Sequence, residues 1–314
     1  MEKRQLGTSG IAIAPLVLGG NVFGWTADKA ASFAVLDAFL DAGFNAIDTA
    51  DVYSRWIPGH QGGESETVIG EWIKARGNRD RIVLITKVGQ DMGPGGKGLT
   101  KTHIPEGCEA SLKRLQTDHI DVYFSHFPDA ETPIEETLEA HQKLIDAGKV
   151  RVAAGSNYDA PGLTAALDAA KSPGRARYQV LQPHYNLIER KSYEGPLEDL
   201  AAAEQLGVIP YFALASGFLT GKYRSEADLG KSPRGGGMKR YLNPRGLAIL
   251  EALDQVAAAH GATPAQIALA WMIARPSVTA PIASATSVDQ LKDIAKAASV
   301  KLTADDIATL DATA

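Results

Sequence analysis

Cysteine is nearly absent from this sequence: Cys108 is the one thiol in 314 residues. That excludes an internal disulfide and any zinc site built from several thiolates, and no metal is expected. Long hydrophobic runs are missing too. The longest, Ile267 to Ala274, falls far short of the roughly 20 apolar residues of a membrane span. The N-terminal MEKRQLGTSG has no signal-peptide apolar stretch, so the cytosol is the expected compartment. Positive charge is not in excess either. With 32 basic and 37 acidic side chains the formal charge is −5, which gives no electrostatic footprint for nucleic acid or anionic lipid. What is present is an ordinary globular composition, long enough for two domains or for one (β/α)8 barrel with insertions.

Short β-branched runs alternate with Ala/Leu-rich stretches almost to the end. Strands are expected at Leu16–Leu18, Asn45–Ile47, Ile82–Thr86, Val122–Ser125, Val150–Ala154, Val180–Gln182, Val208–Phe212 and Val278–Ile282. Helices are expected between them, such as Lys29–Ala42, Glu66–Ala75, Glu106–Leu115 and Ile134–Ala147. The helix-to-strand turns carry glycine at Gly43, Gly148 and Gly207, where a left-handed C′ residue is wanted. Repeated strand–helix units imply parallel strands with crossover helices, and eight of them fit a single closed barrel over residues 1–314. Segments 53–65 and 217–246 are too long for plain connections. Both belong at the C-terminal mouth, where barrel sites lie. Lys3–Ala14 reads as a hairpin around Thr8-Ser9-Gly10.

The strand ends carry hydrogen-bonding or titratable groups. Asp48 follows the second strand with Tyr53 five residues on, Lys87 ends the third and His126 the fourth. Ser156 and Asn157, Gln182, Tyr211 and Ser284 follow on the later strands. Singly, an aspartate there caps a helix and a histidine fills a core position, and His141, His184 and the remaining histidines are read that way. Together the first four make chemistry. A neighbouring ammonium favours the phenolate, so Lys87 is expected to lower the Tyr53 pKa, with Asp48 holding Lys87 charged. Tyr53 then exchanges a proton with a carbonyl oxygen that His126 orients. No nucleophile–base pair or metal triad accompanies them, so acyl transfer and zinc hydrolysis fit poorly.

The chain resembles an aldo-keto reductase over nearly its whole length. The likeness is carried by Ile47-Asp48-Thr49-Ala50-Asp51-Val52-Tyr53, Gly63-Glu64-Ser65-Glu66, Ile85-Thr86-Lys87, Ser111-Leu112-Lys113-Arg114-Leu115, His126-Phe127-Pro128-Asp129 and Gly155-Ser156-Asn157. The resemblance implies the (β/α)8 fold and a tetrad of Asp48, Tyr53, Lys87 and His126. It also implies a nicotinamide cofactor, usually NADPH, lying extended across the mouth. Ser156, Asn157 and Gln182 would bind its carboxamide, Tyr211 would stack on its ring, and Gly20 and Asn21 would line the same region. Leu214, Ser216 and Lys222 would cover the pyrophosphate, with Ser284, Thr286, Gln290 and Asp293 toward the adenine.

One departure weakens the choice of NADP over NAD: residues 283–290 carry no Lys or Arg. Compensation is expected from residues 222–245, where seven cations face two carboxylates, a cationic strap suited to a bisphosphate. Gly93 to Gly98 spell G-x-G-x-x-G, but no strand runs straight into it and no helix straight out, as a dinucleotide fingerprint requires. Phe23, Trp25 and Trp56 are the expected pocket walls, around a small carbonyl or alcohol substrate. Two alternatives are a lyase using Lys87 as a Schiff-base nucleophile and a cofactor-binding regulatory subunit on the same barrel.

Overall fold

A computed structural model describes residues 2–313. The chain opens with an antiparallel hairpin, β1 (Arg4–Gln5) and β2 (Ala12–Ile13). Eight strands follow: β3 (Val17–Gly19), β4 (Ala46–Asp48), β5 (Val83–Val88), β6 (Ile120–Ser125), β7 (Val150–Ser156), β8 (Val180–Gln182), β9 (Gly207–Val208) and β10 (Ile282–Ala283). They run in the order β10-β3-β4-β5-β6-β7-β8-β9, and every pair is parallel. The remaining gap closes through the chain beside β9 and β10. Thr279 N–H donates to the Val208 carbonyl at 2.8 Å and Ile282 N–H to that of Pro210 at 2.9 Å. The result is the expected α/β barrel.

The last two strands are shorter than the apolar runs suggested. Pro210 and Pro281 bring no N–H to a ladder, and Phe212 turns away with φ 55°. The third and fifth strands run longer than expected, so Lys87 and Ser156 lie within β5 and β7 rather than beyond them.

Ten helices among the described residues clothe the barrel: α1 (Lys29–Asp41), α2 (Glu64–Arg76), α3 (His103–Leu115), α4 (Ile134–Asp146), α5 (Ala160–Ala169), α6 (Pro196–Ala203), α7 (Pro244–His260), α8 (Pro264–Ala274), α9 (Val288–Ala295) and α10 (Ala304–Asp311). Their starts obey local chemistry. Asp28, Asp159, Asn243, Thr263, Ser287 and Thr303 each accept a backbone N–H of the first turn, which satisfies a donor with no intrahelical partner. None of these helices is long and apolar enough to cross a membrane. The long segment after β9 folds as three 3₁₀ stretches, Ala215–Thr220, Glu226–Lys231 and Gly235–Tyr241.

Side-chain alternation along the strands divides the core in two. Val17, Ala46, Val83, Ile85, Val122, Phe124, Val152, Ala154 and Val180 pack inside the barrel, joined by Leu6, Ile11 and Ile13 of the hairpin. Ile47, Leu84, Val88, Tyr123, Ala153 and Leu181 face the helices. The same period of two sets the site. Beyond the apolar layers, the next inward positions are Asp48 on β4, Lys87 on β5, His126 just past β6, Ser156 on β7 and Gln182 on β8.

Candidate active site

Asp48, His126, Ser156 and Gln182, with Tyr53, line a cavity of about 1250 Å³ at the C-terminal mouth, and Lys87 lies behind them. Lys87 has no solvent exposure. Its Nζ lies 2.8 Å from Asp48 Oδ2, 2.7 Å from the Thr49 carbonyl and 3.0 Å from the Tyr53 hydroxyl. Burial works to strip the ammonium of its proton, but Asp48 and the Tyr53 oxygen outweigh it and hold the Lys87 pKa above its ordinary value. His126 stands beside Tyr53 with ring centroids 6.2 Å apart. Its Nδ1 is buried without a partner among the described residues. Burial, helped by Lys87, pulls its pKa well below the ordinary histidine value, so the ring is neutral.

The electrostatics correct one expectation. Burial raises the Tyr53 pKa, assisted by Asp48 and Asp51, and this outweighs the downward pull of Lys87. The phenol therefore keeps its proton at neutral pH. The ammonium sits where it would stabilise the phenolate once the proton has left.

Hydrogen bonds wire the neighbouring strands together. Gln182 Nε2 donates to Asp48 Oδ1 at 2.9 Å, across 134 residues of sequence. Asn157 Nδ2 donates to the His126 carbonyl and to Ser156 Oγ, the Ser156 hydroxyl donates to the Gln182 carbonyl, and the Tyr211 hydroxyl donates to Asn157 Oδ1 at 2.6 Å. Behind Tyr211, the His184 ring stacks at 5.2 Å with an interplanar angle of 17°. No signal in the sequence separates His184, a ring that stacks on Tyr211, from a histidine that fills a core position.

Most of the expected cofactor positions line the cavity: Asn21, Ser156, Asn157, Gln182, Tyr211, Leu214, Ser216, Lys222, Ser284, Thr286, Gln290 and Asp293. Gly20 does not. Its N–H donates to the Asp48 carbonyl and its own carbonyl accepts the Ser65 hydroxyl, so it packs behind the wall that Gly19 forms. Phe23 is likewise corrected. It is fully buried in the outer core, because the chain turns back at Gly24 (φ 71°) to pair Phe23 with Ala27. Val22, Trp25, Thr26 and Trp56 line that side instead. Trp25 and Trp56 meet edge to face at 5.6 Å.

The cationic strap is more selective than its charge suggested. Lys222, Lys231 and Arg234 line the cavity. The other four cations point elsewhere: Arg224 pairs with Asp254, Lys239 with Glu226, Arg240 bonds Tyr241, and Arg245 reaches the Ile188 carbonyl. Lys231 is itself paired with Asp228. Among the described residues Lys222 and Arg234 make no ion pair. Arg234 lies 5.1 Å over the Trp25 ring and leaves Nη2 buried with no partner among the described residues.

This sequence of groups fits an extended nicotinamide dinucleotide. An amide- and aromatic-lined end adjoins the tetrad. Two unpaired cations follow, and hydroxyls and amides lie beside the start of α9. No group of His, Cys, Asp and Glu that could hold a metal ion occurs among the described residues. The loop of residues 93–98 contains a 3₁₀ turn at Gly93–Gly95 and does not line this cavity; Gln90, before it, does.

Comparison with known proteins agrees. The sequence profile of the Aldo/keto reductase family matches residues 15–314. A probable voltage-gated potassium channel subunit beta from Arabidopsis thaliana is 34% identical, over 96% of this chain and 92% of the relative. The uncharacterized oxidoreductase YrpG of Bacillus subtilis is 35% identical, over 96% and 92%. The aldo-keto reductase YhdN of the same organism is 31% identical, over 95% and 87%.

Proposed function

We infer from membership of the aldo/keto reductase family, to which the chain belongs, and from the buried tetrad that it reversibly reduces aldehydes or ketones. The observation that carries this is the placement of a protonated Tyr53 hydroxyl 3.0 Å from a buried Lys87 ammonium at the floor of the mouth. A bound nicotinamide dinucleotide supplies the hydride. The chain's own residues supply the rest. Tyr53 gives its proton to the carbonyl oxygen, Lys87 stabilises the phenolate left behind, and Asp48 keeps Lys87 charged and aimed. Neutral His126 orients the carbonyl without competing for the proton. In the oxidative direction Tyr53 is the base.

The proposed cofactor contacts are Asn21, Ser156, Asn157, Gln182 and Tyr211 at the nicotinamide end, Leu214, Ser216 and Lys222 over the pyrophosphate, and Ser284, Thr286, Gln290 and Asp293 toward the adenine. Two unpaired cations in the cavity support NADPH over NADH. Trp25 and Trp56 are the proposed substrate walls.

Tyr53→Phe keeps the ring and removes the proton. Turnover of a carbonyl panel should fall on the order of 10²–10⁴-fold while dinucleotide affinity is retained; normal turnover sinks the mechanism. The regulatory-subunit reading has the channel-subunit relative behind it. It would be favoured by tight dinucleotide binding with no cofactor oxidation across the same panel. The Schiff-base reading has no support, since the Lys87 Nζ is held by three oxygens and its proton is stabilised.

A further inference from the structure

The two cations that line the cavity without an ion pair stand in different settings. Lys222 Nζ lies beside Gly217 and over the Tyr223 ring at 5.2 Å, next to the segment proposed to cover the pyrophosphate. Arg234 lies instead over Trp25, on the connection between β3 and α1. From Trp25 a chain of rings leads to the tetrad. Trp25 meets Trp56 edge to face, and Trp56 meets Tyr53 with centroids 6.0 Å apart. Burial lowers the Arg234 pKa, and the oxygens of Tyr223 and Tyr53 pull it back up, so the guanidinium and the tetrad phenol feel one another.

No protein group answers this charge. An arginine stays protonated at neutral pH, and Arg234 Nη2 is buried with no partner among the described residues. Two carboxylates among the described residues line the cavity, Asp48 and Asp293. Asp48 accepts from Lys87 and Gln182, and Asp293 from Gln266 and Thr263. A desolvated cation without a counter-charge is costly, and a ligand that brings the anion relieves that cost. The fork of a guanidinium matches a carboxylate, which it can hold through two parallel N–H···O bonds.

We propose that Arg234 makes the site selective for aldehydes or ketones that carry a carboxylate, with the carbonyl at Tyr53, the carboxylate at Arg234 and the carbon frame between them against Trp25 and Trp56. The inference rests on the reductase reading above and names its substrate class. Lys222 is left to the phosphates of the dinucleotide.

The test compares kcat/KM, at saturating NADPH, for benzaldehydes bearing a carboxylate at ring position 2, 3 or 4 and for the formylbenzamides of the same shape. At one ring position or more the acid should exceed its amide by about tenfold or more, mainly through KM. In Arg234→Met the acid-to-amide ratio should fall toward one, and Arg234→Lys should restore part of it. The proposal is overturned if the unaltered protein shows no preference for the acid at any position, or if Arg234→Met keeps the preference. A kept preference together with weakened NADPH binding would assign Arg234 to the dinucleotide instead. Tight NADPH binding with no turnover of any of these aldehydes would count against the reductase reading, and this proposal would fall with it.

Discussion

Asp51 follows the tetrad aspartate by three positions, and its environment is the reverse of comfortable. It is 3% exposed, and its Oδ1 has no partner among the described residues. Burial, with the fully buried Glu66 nearby, pushes its pKa up to about 8, against the downward pull of Arg114 and Lys87. The Arg114 guanidinium is already taken, donating to Glu66 Oε2 at 2.6 Å. An unfolded aspartate ionises near pH 4. Between about pH 4 and about pH 8 the folded chain thus holds a proton that the unfolded chain lacks, and stability falls as pH rises through that window. Asp51→Asn should melt higher than the parent at pH 8, with the gap closing toward pH 5; a gap independent of pH would refute the assignment. This residue was legible only as part of a motif. Its burial depends on α2 and α3 covering it, which local pattern does not reveal. Asp48 and Lys87 were legible because each stands where an apolar strand run stops. The Asp48–Gln182 bond was not, since no local rule joins residues half a barrel apart.

At the level of elements, α2 and α3 meet through a missing side chain. A Cβ on Gly70 would lie 2.1 Å from the Arg114 carbonyl oxygen, so the backbones touch where any larger residue would part them. Gly70→Ala should destabilise the fold by about 1–3 kcal/mol, read as a lower denaturant midpoint with unchanged slope. The strand–helix rhythm and the hairpin were readable from periodicity and glycine punctuation. The basic charge of residues 222–245 is plain in the sequence, but which of its cations turn inward is not. Whether a cation turns inward depends on which carboxylate lies near it, and the partner of Arg224 is Asp254, on α7. The folding of Phe23 into the outer core escaped the same reading, because it turns on the left-handed φ of Gly24.

For the whole molecule, a formal charge of −5 conceals its distribution. The field outside is acidic, while the cavity carries Lys222 and Arg234 without carboxylate partners among the described residues. Attraction of a small polyanion is therefore local, and screening sets in over roughly 10 Å at 0.1 M salt. NADPH carries a phosphate that NADH lacks, so its affinity should fall more steeply as salt rises from 0.05 to 0.5 M. Parallel salt dependence for the two would argue that neither Lys222 nor Arg234 meets that phosphate.

The hairpin of β1 and β2 sends Leu6, Ile11 and Ile13 into the barrel from below, and Gly7 meets Gly207 so closely that a Cβ there would lie 2.4 Å from its nitrogen. These side chains fill the floor of the barrel, and the cavity opens at the opposite, C-terminal end. In the reading proposed above, dinucleotide and substrate therefore share one approach, from the C-terminal end, and a dinucleotide seated along the wall beneath residues 222–245 would have its reactive end covered by the substrate that follows it.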